Sequence, residues 1–161
     1  LRFARLKDAF DALGIQISTA QIYKLSEEYI NYLSTFNHLF EGTIQILDYL
    51  QPNYTLHIIT NGFKEVQHGK LNKSGIAHYF ETVTNSELAG VKKPNPKIFK
   101  LALHMAKASK AESLMIGDNL EADILGAVNF GIDALCFNYH KDSIPRHIES
   151  IDKLVELKRY L

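Results

Sequence analysis

Apolar positions change their period along the chain. In the first forty residues they recur at helical spacing: Leu6, Phe10 and Leu13 define one stripe, with Gly14 placed to close it. "STAQ" at Ser18–Gln21 reads as a capping box that opens a second helix, with Ile22, Leu25, Tyr29, Leu33 and Phe36 as its predicted stripe. Tyr29, Tyr32 and Phe36 are accordingly expected in the core. The two helices are expected to pack on each other or on a further partner.

From Gly42 onward, helices alternate with short apolar runs. "GTIQILDYL" predicts a helix, "YTLHIIT" (54–60) a strand, and the residues after Asn61-Gly62 a helix ending near Ser74. "ETVTN" (81–85), "SLMIG" (113–117) and "DALCFN" (133–138) predict three further strands. Between them "NPKIFKLALHMAKA" and "LEADILGAVNF" predict helices, the second closed by Gly131, and "SIDKLVELKRYL" predicts a terminal helix. This alternation indicates βαβ units, hence an α/β fold with a mainly parallel sheet flanked by helices. Ligands of such sheets bind beyond the carboxyl ends of the strands. That rule singles out Thr60-Asn61, Asn85-Ser86, Gly117-Asp118 and Asn138.

Composition narrows the function classes. A length of 161 residues suits one domain, or a core with a small appendage. Lys+Arg and Asp+Glu are both 18, so no excess charge points to a nucleic-acid polymer or a membrane surface. Cys136 is the single cysteine, which excludes a disulfide scaffold and leads us to expect a reducing, cytoplasmic setting. No apolar run approaches the ~20 residues of a membrane-spanning helix.

Three strand-end features carry candidate chemistry. In "IITNG", the Thr60 hydroxyl and the free N–H groups at the following helix start suit an anion, although Asn-Gly also serves ordinary turns. In "GVKKPNPKIF", Lys93 precedes a proline and is held on a stiff backbone, where a solvated loop lysine is the mundane alternative. In "IGDNLEAD", Asp118 and Asp123 suit a hard cation such as Mg²⁺, although Asp118 could simply cap the helix. Their conjunction in one chain describes a pocket for phosphate and Mg²⁺.

With these motifs in place, the chain resembles the haloacid dehalogenase-like hydrolase superfamily nearly end to end. "IITNG", Lys93 in "GVKKPNPKIF" and "IGDNLEAD" are similar to its second, third and fourth motifs, in the same order. The stretch from Ile59 to Phe99 is particularly similar to the YjjG-like subgroup of phosphatases and pyrimidine 5′-nucleotidases. The resemblance implies a Rossmann-like core at 41–161 and a partial helical cap at 1–40. It further implies that Thr60 and the Asn61 backbone hold the transferring phosphoryl group and that Lys93, the catalytic lysine, neutralises phosphate and nucleophile. Asp118 would ligate Mg²⁺, and Asp123 would support the ion or orient Lys93. Asn119 stands where serine is common. The implied substrate is a small phosphate ester, nucleoside monophosphates included.

One departure is serious. The family attacks phosphate with the first aspartate of a DxD motif on the central strand, forming an aspartyl phosphate. The aspartates here are 8, 11, 48, 118, 123, 133, 142 and 152, and no two are two residues apart. The nucleophile, the acid/base and the first, central strand of the fold are therefore expected to be missing. The mid-helix beginning without methionine leads us to expect an inactive fragment that needs its N-terminal segment as partner. Two other readings stand beside it: a non-catalytic phosphate-binding module, and a metal-independent 2-haloacid dehalogenase, against which the acidic pair argues.

Overall fold

The computed structural model describes residues 2–33 and 35–161; Leu1 and Ser34, both within the expected 1–40 cap, lie outside the described residues. The chain opens with α1 (Arg2–Ala12) and α2 (Thr19–Leu33), which pack on each other, with the Phe3 and Tyr23 rings 4.8 Å apart. Gly14 follows α1 with φ 68°, a conformation that glycine adopts without strain. Both halves of the capping box form: Ser18 N–H donates to Gln21 Oε1 at 3.0 Å, and Gln21 N–H donates to Ser18 Oγ at 3.3 Å.

The apolar face of α2 differs from the expected stripe. Ile22 and Ile30 are buried, whereas Tyr29, Tyr32 and Phe36 are exposed, so these aromatics are not core residues. The helix meets α1 and α4 (Lys64–Lys73) through a face turned toward Ser26 and Ile30. Periodicity gave the helix but not the side that its neighbours cover.

Among the described residues, five strands follow, paired in parallel. β1 (Leu56–Thr60) pairs with β2 (Phe80–Asn85), β3 (Leu114–Gly117) with β4 (Asp133–Phe137), and β4 with β5 (Ser150–Ile151). β1 is shorter than expected because the N–H groups of Asn53 and Tyr54 turn back to the Leu50 carbonyl, closing α3 (Thr43–Leu50). The predicted terminal helix is replaced by β5 and a 3₁₀ helix, Leu154–Arg159. The reason is pairing: Cys136 N–H donates to the Glu149 carbonyl and Asn138 N–H to that of Ile151, satisfying the edge of β4.

No ladder joins β1 to β3 among the described residues, so the strands form a two-stranded and a three-stranded sheet. Yet the two behave as one layer. Leu56 of β1 and Ile116 of β3 pack into the same cluster around Ile46, Leu135 and Leu157. Ile59 of β1 and Met115 of β3 pack into a second cluster around Ile98, Phe99 and Ala127. Each strand contributes to both faces, as alternation of side chains requires. β1 and β3 thus face the same two cores, each with one edge lacking a strand partner. The remaining α-helices among the described residues are α5 (Ser86–Ala89), α6 (Pro96–Ala106) and α7 (Gly126–Phe130). A Cβ on Gly126 would lie 2.9 Å from Pro94 Cβ and 3.0 Å from Phe99, so its glycine lets α7 sit directly on the Lys93-Pro94 segment and α6.

Candidate active site

At the carboxyl end of β1, the chain turns sharply and Gly62 N–H donates to Thr60 Oγ1 at 3.0 Å. That contact uses an acceptor lone pair and leaves the hydroxyl proton available for an anion. The next residue is fastened differently. Asn61 Oδ1 accepts the Lys93 N–H at 2.7 Å, Asn61 Nδ2 donates to the Lys93 carbonyl at 3.2 Å, and Ser86 Oγ donates to the Asn61 carbonyl at 3.2 Å. The Asn61 side chain therefore serves Lys93, leaving only its main chain for a ligand.

Lys93, followed by a cis peptide bond to Pro94, extends a buried side chain back across the strand ends. Its Nζ donates to the Ile59 carbonyl at 2.8 Å and pairs with Asp123 Oδ1 at 2.6 Å. Both partners of the pair are under one-tenth exposed, at 9% and 8%. The other Asp123 oxygen accepts the Asn119 N–H at 3.2 Å. Gly117 makes room for this carboxylate, because a Cβ there would lie 2.5 Å from Asp123 Cβ. The lysine is thus a localised charge rather than a solvated loop residue.

Asp118 is placed quite differently. Its side chain is 58% exposed, and the His140 ring nitrogen Nε2 lies 3.8 Å from its Oδ2. It does not cap the following helix: that role belongs to Asn119, whose side chain accepts the Ala122 N–H at 2.7 Å at the start of a π-helical turn, Leu120–Leu125. π-helical turns recur at functional sites. The negative field at these strand ends registers on the buried Cys136, whose thiol is pushed up by burial first and then by Asp118, Asp123 and Asp142.

The donor set can be tested against the expected cation. Among the described residues no three or more His, Cys, Asp or Glu side chains converge as a metal cage. Mg²⁺ does not ask for one: it takes one or two carboxylates and keeps several waters. Asp118 fits that demand. Asp123 fits it poorly, because each of its oxygens is already engaged.

The structure therefore gathers Thr60, Asn61, Lys93 and Asp123 around the end of β1, with Asp118 beside them at the end of β3. Three participants were not anticipated: the Asn61 side chain, His140, and a cleft beside Asn61 that reaches α1. His140 lies two residues past Asn138, itself at a flagged strand end, so position pointed to the neighbourhood but not to the residue. No described helix is long and apolar enough to cross a membrane.

Comparison with known proteins follows the same lines. Residues 4–137 match the model of the haloacid dehalogenase-like hydrolases. The pyrimidine 5′-nucleotidase YjjG of Escherichia coli is 36% identical over 142 residues, covering 86% of this chain and 63% of the relative. The glyceraldehyde 3-phosphate phosphatase of Methanothermobacter thermautotrophicus is 35% identical over 127 residues, covering 74% and 56%. The solved structure of the HAD-hydrolase YfnB of Bacillus subtilis, bound to magnesium, superposes with a TM-score of 0.85 at 28% identity, over 99% of this chain and 70% of that one. The chain thus spans less than two thirds of the length of these curated relatives, 63% of the first and 56% of the second.

Proposed function

The chain belongs to the haloacid dehalogenase-like hydrolase family, and we propose that it supplies the phosphate- and cation-binding part of a Mg²⁺-dependent phosphomonoesterase. The observation that carries this reading is the division of labour between the two aspartates. Asp123 is spent on holding Lys93, while Asp118 stays exposed at the adjacent strand end. A dehalogenase that works without metal has no use for the second carboxylate.

In this reading the Thr60 hydroxyl and the Asn61 main chain hold the phosphoryl oxygens, and Lys93 lowers the cost of bringing an anion against a carboxylate. Asp118 would hold Mg²⁺, which when bound offsets charge on the phosphoryl group. In this reading the attacking carboxylate and the acid/base would come from outside residues 1–161. They would ride on a strand seated between β1 and β3, whose unpaired edges flank the Lys93 side chain. Attack forms an aspartyl phosphate and releases the alcohol; water then cleaves the acyl phosphate. Residues 1–40 would form part of a cap over this end of the sheet. Substrates are small phosphate esters, with nucleoside monophosphates one class and triose phosphates another, as the names of the relatives suggest.

The test uses the full-length gene product with phenyl phosphate, with and without chelator. Hydrolysis should require Mg²⁺ and fall at least 100-fold in Asp118→Ala, roughly the loss of one electrostatic stabiliser. Activity that survives the chelator or the substitution would refute the proposal.

A further inference from the structure

Beside Asn61, a cleft of about 480 Å³ opens between α1 and the carboxyl ends of β1 and β2. Its core wall carries Phe63, Glu87, Val91 and Lys92, and its far wall carries Arg5 from α1. The cleft borders the phosphate site through chain neighbours: its lining residues Asn61 and Lys92 directly follow Thr60 and precede Lys93. An ester whose phosphoryl group sits against Thr60 and Lys93 therefore has this space for its leaving group.

The charges facing the cleft are unequal. Glu87 faces it too, but its Oε2 already accepts the Lys64 N–H at 2.9 Å, capping α4. The Arg5 side chain has no hydrogen bond or ion pair among the described residues. Lys92 adds a second positive charge at the opposite wall. A guanidinium presents a planar fork of donors that suits paired oxygens.

We propose that Arg5 selects the leaving group: it donates to the two oxygens of a carboxylate or to a ring carbonyl on the part of the ester remote from phosphate. The inference rests on the phosphatase reading above. Phe63 and Val91 supply the apolar wall against which such a group lies. Arg5 is a specificity residue here, not a participant in phosphoryl transfer. A site built to hydrogen-bond one group discriminates strongly against substrates that lack it.

The experiment compares wild type, Arg5→Ala and Arg5→Lys of the full-length protein on three esters. Uridine 5′-monophosphate offers ring carbonyls, 3-phosphoglycerate offers a carboxylate, and phenyl phosphate offers neither. Wild type should prefer at least one of the first two over phenyl phosphate in kcat/KM, and which one identifies the acceptor. Arg5→Ala should reduce that preference at least tenfold, through KM rather than kcat, and Arg5→Lys should restore part of it. A preference that survives Arg5→Ala, or a loss that is equal for all three esters, would overturn the inference while leaving the phosphatase reading intact. Wild type that hydrolyses none of the three would overturn both.

Discussion

The Asn61 side-chain amide closes on the main chain of Lys93 from both sides, accepting its N–H at 2.7 Å and donating to its carbonyl at 3.2 Å. Two bonds across 32 residues of sequence fix where the lysine backbone begins, and so where its ammonium ends. Asn61→Ala in the full-length protein removes both contacts and leaves Thr60 in place. On the proposed phosphatase reading, in which Lys93 faces the phosphoryl group, a misplacement of about 1 Å costs about 100-fold, so kcat/KM on phenyl phosphate should fall by about that factor. Steady-state kinetics, with circular dichroism as the control for folding, provide the check.

Breaking the Lys93–Asp123 pair should be costly even without catalysis. Both side chains are buried, and Asp123→Asn would strand an ammonium among poorly hydrated neighbours. Loss of one partner of such a pair costs about 3 kcal/mol or more. The double variant Lys93→Met with Asp123→Asn should recover much of that stability, because no uncompensated charge remains. Urea unfolding of the four proteins forms a double-mutant cycle, and additive effects would contradict the pairing.

Gly117 should resist even alanine. Its Cβ would meet the Asp123 carboxylate and lie 2.5 Å from Asp123 Cβ, so the aspartate would have to leave its place. Overpacking of this kind costs about 1–3 kcal/mol. Thermal unfolding should show a lower midpoint for Gly117→Ala than for wild type.

His57 predicts an acid-side loss of stability. It sits in β1 with Nδ1 2.8 Å from Thr82 Oγ1, and its pKa is lowered from the ordinary 6.5 by burial, partly offset by Glu81. A folded-state pKa below the unfolded one means that the unfolded chain takes up the proton first. Stability is therefore full above about pH 6.5 and declines as pH falls from there toward the lowered folded value. Thermal midpoints measured from pH 7.5 downward should fall more steeply for wild type than for His57→Gln. Equal slopes would rule His57 out as the source.

The order of elements was legible in the sequence because it rests on local causes: apolar period, capping residues such as Ser18 and Gln21, and the turn at Asn61-Gly62. The terminal segment misled because Ser150 and Ile151 owe their conformation to the open edge of β4, which no local pattern announces. The aromatics of α2 misled for a related reason, since period fixes a stripe but neighbours decide which side is covered.

The candidate site divides in the same way. Residue types and spacing alone nominated Thr60, Asn61, Lys93, Asp118 and Asp123, because phosphate and Mg²⁺ demand those groups at strand ends. What each one holds was decided only by the fold. Asp118 and Asp123 are both aspartates five residues apart in one motif. One is exposed and the other buried against an ammonium, because Asp123 lies within the π-helical turn, which sets its carboxylate over Gly117, while Asp118 stays on the strand end.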